Sequence, residues 1–214
     1  MAVVGNILAR SLRYSEIKKL IKANHPNFGR VRNPESRSRE RKADTMIVIQ
    51  SQRLQLSQFQ MVDTQEVFEC ITPAIAKFMP WEPPSWDEYV TRCEKRLQAA
   101  EPNMFSFVIR RLENRECLGM ASFEGADSVS PEVGLWLKQI VRGQGFGREV
   151  VTALIAWGHA TLGKESFVYP VAVKNTASRR IAETLGGEII GNRTNPKYDS
   201  VVYRIPFYES RSTR

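Results

Sequence analysis

Histidine is almost absent from this chain: His25 and His159 are the only two, and they lie far apart in sequence. No zinc-ligand spacing exists, and a Ser-His-Asp or Cys-His mechanism would have to rest on one of these two residues. No metal is expected. Cysteine is scarce as well. Cys70, Cys93 and Cys117 are odd in number, widely spaced and contain no Cys-x-x-Cys pair, so buried thiols in a reduced, cytoplasmic compartment are the simplest reading. No apolar run approaches the ~20 residues of a membrane span. The mild apolar run Ala2–Ala9 has neither a basic segment before it nor a convincing cleavage site, so neither an anchor nor a secretory signal is expected. There is also no internal repeat at a fixed period.

Acidic residues are fewer than basic ones, 23 against 31, giving a net charge of +8. The excess is local. Residues 1–45 hold eleven Lys/Arg against four acids, a net +7, whereas residues 46–214 hold 20 against 19. Within this basic extension, Tyr14–Lys22 places Ile17, Leu20 and Ile21 at helical spacing, a short amphipathic helix candidate. Asn24–Asp44 is rich in Pro, Ser, Arg and Asn and has too few apolar groups to offset the entropy of ordering, so a disordered linker is predicted. Three roles stay open for the extension. It can tether nucleic acid or another polyanion, be a solvated extension without a partner, or precede a working start at Met46.

What is present is glycine in one informative place. Arg142-Gly143-Gln144-Gly145-Phe146-Gly147-Arg148 lies between a strand-like run, Glu132–Leu137, and a helix-like run, Glu149–Leu162. Glycine allows backbone N–H groups to approach a ligand closely, and free N–H groups at a helix start attract phosphate. A pyrophosphate cradle is therefore expected. The nucleoside-triphosphatase loop, Gly-x-x-x-x-Gly-Lys-Ser/Thr, does not occur. The dinucleotide pattern Gly-x-Gly-x-x-Gly fails because Arg148 or Val150 stands at its third glycine. The pattern Arg/Gln-x-x-Gly-x-Gly/Ala fits from Arg142 to Gly147, and here the chain resembles the GNAT superfamily of acetyl-CoA-dependent N-acetyltransferases. A second stretch agrees. After the apolar strand candidate Phe167–Val173 comes Asn175-Thr176-Ala177-Ser178, leading into a helix that ends Leu185-Gly186-Gly187. Asn175 is a good N-cap, Ala177, Ile181, Ala182 and Leu185 form one stripe, and a glycine closes the helix. A bare cap remains the simpler role for Asn175. Gln52-Arg53-Leu54-Gln55-Leu56 is similar to the opening phrase of the ribosomal-protein N-terminal acetyltransferase subgroup, and so is Thr72–Pro84, which in that subgroup lines the acceptor side.

The resemblance implies an α/β (α+β) fold over residues 46–214, with a mixed, largely antiparallel central sheet flanked by helices. The expected strands are Arg53–Phe59, Met104–Arg111, Glu116–Phe123, Glu132–Leu137, Phe167–Val173, Glu188–Gly191 and Ser200–Pro206. Gln65–Ile71 and a segment from Ser85 or Asp87 to about Ala99 are expected as helices, and Asn192–Asp199 as a polar loop. Prolines 80, 83 and 84 stiffen a loop. The resemblance also implies acetyl transfer from acetyl-CoA to a primary amine, on a protein N-terminus, ribosomal or other, or on a small molecule, by direct attack. A non-catalytic coenzyme A- or polyanion-binding module is the alternative. Cofactor contacts are expected from Leu135, Trp136, Leu137, Arg142, Gly143, Gln144, Gly145, Phe146, Gly147, Arg148, Asn175 and Ser178. Packing alone would also account for the three strand side chains. Glu132 is the candidate general base, with a solvated strand end as its simpler role. Ser178 is the candidate to protonate the leaving thiolate, and Tyr203 a remote second. Trp81 and Trp86 are candidate walls of the acceptor pocket. The protein is expected as a monomer or homodimer, with no membrane partner, and with nucleic acid met only through the basic extension.

Overall fold

A computed structural model describes residues 46–99 and 103–208; the expected helix at Tyr14–Lys22 and the linker at Asn24–Asp44 lie outside them. The chain forms one eight-stranded sheet. Its strands are β1 (Val48–Gln50), β2 (Leu54–Gln58), β3 (Met104–Arg111), β4 (Cys117–Glu124), β5 (Glu132–Leu137), β6 (Ser166–Ala172), β7 (Glu188–Thr194) and β8 (Asp199–Pro206). The spatial order is β1-β2-β3-β4-β5-β6-β8-β7. Every neighbouring pair is antiparallel except β5–β6. The helices are α1 (Thr64–Glu69), α2 (Pro73–Ala76), α3 (Trp86–Ala99), α4 (Phe146–Leu162) and α5 (Thr176–Thr184). No helix among the described residues is long and apolar enough to cross a membrane.

Alternation along the strands divides the apolar residues between two faces. On one face α4 packs across β5, β1 and β2 and against α5. Its core holds Leu56, Phe107, Phe123, Val133, Leu154, Trp157 and Phe167. Trp157 is met edge-on by Phe105, Phe107 and Phe123 at centroid distances of 5.4, 5.7 and 5.0 Å, an arrangement favoured by the ring quadrupoles. The opposite face is covered by α1 and α3 over a smaller cluster of Phe59, Val67, Cys70, Cys93, Val108 and Cys117, with Trp136 against it. All three cysteines are free and buried.

Several boundaries differ from those expected. β1 is an additional edge strand, and α2 an additional single turn capped by Thr72, whose hydroxyl accepts from the Ile75 N–H at 3.3 Å. The helix α4 begins at Phe146, not Glu149, because Gly145 already acts as its N-cap. Asn192–Asp199 is not simply a loop: β7 continues to Thr194 and β8 starts at Asp199, leaving a tight turn between them. β7 pairs on one side only, with β8.

Candidate active site

The junction of β5 and β6 is closed at one end and open at the other. Only Glu132 and Val168 are paired, and the Val168 N–H donates to the Pro131 carbonyl at 2.8 Å. Beyond that point the strands part. On its other side β5 remains laddered to β4 up to Leu137, and the Lys138 N–H donates to the Leu118 carbonyl. Backbone groups in a strand alternate in direction. That bond therefore fixes the Trp136 backbone groups toward β4 and turns those of Leu135 and Leu137 toward the gap. Two extended residues are left with backbone donors and acceptors that no described residue uses, facing an open cleft.

The cleft measures about 860 Å³ and its lining includes Leu135, Trp136 and Leu137 on one wall and Asn175, Ser178 and Ile181 on the other. Arg142, Gly143, Gly145, Phe146, Gly147 and Arg148 form one end. Gly143 and Gly145 have φ of +79° and +82°, values that side chains resist. A Cβ on Gly147 would come within 2.8 Å of Ile181. The glycines thus allow the loop to double back and α4 to begin beside α5. Gly145, the N-cap of α4, has no side chain to cap the first turn, so its first N–H groups suit an anion. The charged residues lining the cleft are Arg142, Arg148, Lys174 and Arg180, with no carboxylate among the lining residues. An extended ligand with apolar and polyanionic parts fits this set of donors.

Gln144 does not line the cleft. Its carbonyl accepts from Arg53 Nη1 at 3.0 Å and its side chain donates to the Ile140 carbonyl. Across the cleft, the Asn175 side chain accepts from the Ser178 N–H at 3.2 Å and caps α5. Tyr169 is buried on β6; burial pushes its phenol up to about 12, and the Ser178 side chain acts in the opposite sense. The Tyr203 hydroxyl is held elsewhere, donating to Glu183 at 2.9 Å and accepting from Arg179 at 3.1 Å.

Other expected residues stand outside the cleft lining. Glu132 sits at the closed end of the β5–β6 junction, on the face of Gly134 and Trp136. Its carboxylate accepts from Arg193 of β7 at 2.5 Å. Trp86 packs edge-on against Phe68 at 5.2 Å and is 42% exposed. Trp81 contributes its carbonyl to Lys197. The Thr72–Pro84 segment reaches the cleft through Ile75, Phe78 and Met79 instead. Helical spacing from Pro73 puts Ile75 on the buried side; nothing in the local sequence distinguishes Phe78 and Met79 from the tryptophans. Lys197, at the β7–β8 turn, fastens both ends of this wall. Its ammonium donates to the carbonyls of Ala76 and Trp81 at 2.8 and 3.1 Å and pairs with Glu82 at 2.7 Å.

A model of the acetyltransferase (GNAT) domain matches residues 53–188. Among curated proteins none matches the sequence. Among solved structures, RimL, described as a ribosomal L7/L12 alpha-N-protein acetyltransferase, superposes with a TM-score of 0.65 at 20% identity, covering 78% of this chain and 98% of that one. An acetyltransferase of the GNAT family from Bacillus anthracis gives 0.64 at 18% identity, covering 75% and 98%. RimL in complex with coenzyme A gives 0.62 at 18% identity, covering 73% and 96%. At these identities the likeness is one of fold. The domain match spans more than half of the chain and includes the glycine loop, the parted strands and the Asn175 cap: the chain belongs to the GNAT acetyltransferase family and is an acyltransferase.

Proposed function

We propose that the chain moves an acetyl group from acetyl-CoA to a primary amine by direct attack in a ternary complex, and that the amine is the α-amino group of a protein N-terminus. The observation that carries this reading is the parted β5–β6 junction ending at the glycine loop. Unused backbone groups of Leu135 and Leu137 can pair with an extended pantetheine arm as a further strand would. The first-turn N–H groups of α4, with Gly143 and Gly145 before them, suit the pyrophosphate, and Arg142, Arg148, Lys174 and Arg180 supply countercharge.

Acetyl-CoA brings an activated thioester; the protein contributes alignment, polarisation and proton handling. Holding amine and carbonyl in line is worth on the order of 7–11 kcal/mol. A backbone N–H of β5 facing the gap is placed to polarise the carbonyl oxygen. Ser178, on the opposite wall of the cleft, is the group to meet the departing sulfur. The acceptor end is apolar, walled by Ile75, Phe78 and Met79. A polyamine or aminoglycoside needs carboxylates for its further charges, and none lines the cleft. A chain terminus with one amine and a small first side chain suits that wall. RimL, the structural neighbour, is described as acting on an α-amine of this kind.

A free-thiol release assay with acetyl-CoA over a panel of N-terminal peptides, polyamines, amino acids and aminoglycosides tests the reading. Turnover is expected with peptides, with the label on the α-amine by mass spectrometry. Turnover confined to polyamines or aminoglycosides would overturn the acceptor assignment. Binding without turnover on any amine would favour a coenzyme A-sensing role.

A further inference from the structure

The glycine loop has a partner 90 residues away in sequence. Glu149 lies in the first turn of α4, where a carboxylate suits the helix dipole. There it is also a negative charge beside the turn that, on the reading above, receives a pyrophosphate. Glu149 does not face that turn alone. Its Oε1 accepts from the Ser51 hydroxyl and from the Arg53 N–H, both at 2.7 Å, and its Oε2 accepts from Arg53 Nε at 2.7 Å, with Arg53 Nη2 also 2.7 Å away. The side chain of Glu149 is only 15% exposed. The same guanidinium donates through Nη1 to the Gln144 carbonyl at 3.0 Å and lies 4.3 Å from the centroid of the Phe146 ring. One arginine therefore grips the loop carbonyl before Gly145, the aromatic ring after it and the acid one turn on.

We infer that Arg53 is a positioning residue for the glycine loop: it holds Gln144, Phe146 and Glu149 in one arrangement and cancels the charge of Glu149, so that the cradle is formed before the anion arrives. This rests on the coenzyme A reading of the cleft. A planar fork can make these contacts together; an ammonium cannot. Lysine at this position keeps an ion pair with Glu149 but loses the simultaneous grip on the Gln144 carbonyl and the Phe146 ring. The two roles of Arg53, general stabilisation and loop positioning, therefore separate in Arg53→Lys.

The test uses the full chain with Arg53→Met, Arg53→Lys, Glu149→Gln and the Arg53→Met/Glu149→Gln double variant. It reads melting temperature, coenzyme A affinity by calorimetry, and hydrogen exchange over residues 144–152 in the free protein. Arg53→Met is expected to weaken coenzyme A about tenfold. Arg53→Lys should restore the melting temperature but leave affinity at least about threefold down. The double variant should be less impaired than the product of the two single losses, because both act on one contact. Exchange over 144–152 should rise in Arg53→Met while the rest of the sheet stays protected. Unchanged exchange there would overturn the inference whatever the ligand result. So would affinity that returns in step with melting temperature in Arg53→Lys. Failure of the unmodified protein to bind coenzyme A, with exchange rising as expected, would sink the cofactor reading and leave the brace standing.

Discussion

Glu132 is the residue whose strand face alternation predicts but whose surroundings it does not. Alternation puts its side chain on the same face as Gly134 and Trp136, and that is where it lies. Its carboxylate is held by Arg193, and it is not among the residues lining the cleft. On the proposed mechanism solvent then takes the amine proton, and proximity and carbonyl polarisation supply most of the rate. Glu132→Gln is accordingly expected to lower turnover by less than about tenfold, measured as kcat with saturating acetyl-CoA. A fall of roughly 10²–10⁴-fold would instead identify Glu132 as the base. Arg193 was not foreseeable as its partner: it lies 61 residues away, in a stretch of polar residues with no periodic signal.

At the scale of elements, the order of strands and helices around the cleft is legible in the sequence because each carries a local signal. Glu132–Leu137 alternates and is bounded by polar turns, and β5 has those limits. Asn175, the apolar stripe after it and the glycines at its end mark α5. What lacked a signal was missed. β1 has three residues, too few for alternation to show. The second half of β7 is polar and exposed, with one edge of that strand unpaired among the described residues, so nothing apolar marks it. The Arg53–Glu149 brace spans 96 residues and the Lys197 fastening 121, distances over which spacing says nothing. The start of α3 shows a local device with a measurable pH signature. The Ser85 N–H donates to Glu88 at 2.9 Å, and the Glu88 N–H donates back to the Ser85 hydroxyl at 3.4 Å, a capping box. The Ser85 N–H, and then its side chain, hold the Glu88 carboxyl below its usual range. A depressed folded-state pKa adds stability above the unfolded-state pKa, and that stability is lost as pH falls through the folded-state value. Glu88→Gln should therefore melt below the unmodified protein near neutral pH and converge with it in acid. A constant difference across pH would show that the carboxylate charge is not involved.

The whole molecule joins two halves of one sheet. The antiparallel half, β1 to β5, carries the free backbone edge and, through Arg53, the brace on the glycine loop. The other half, β6 to β8, carries Ser178 through α5 and, through Lys197, fastens the segment that brings Ile75, Phe78 and Met79 to the cleft. Between them lies a cleft with four cations, glycines at positive φ and uncapped first-turn amides. The family and its general chemistry follow from the domain match; the claim that this cleft holds coenzyme A by its loop is the step on which the proposed function and the Arg53 inference both rest. The most direct test is a calorimetric titration of acetyl-CoA into the full chain and into Gly145→Glu, with melting curves of both. Gly145 has φ of +82°, and its surroundings on the protein side reach no closer than 3.5 Å, at Arg53. A side chain there costs roughly 1–2 kcal/mol in backbone strain, so a lowered but cooperative transition is expected. Binding of one acetyl-CoA per chain is predicted for the unmodified protein and none for the folded variant, whose carboxylate would occupy the cradle and repel the pyrophosphate. Equal affinity in the two proteins would contradict the account.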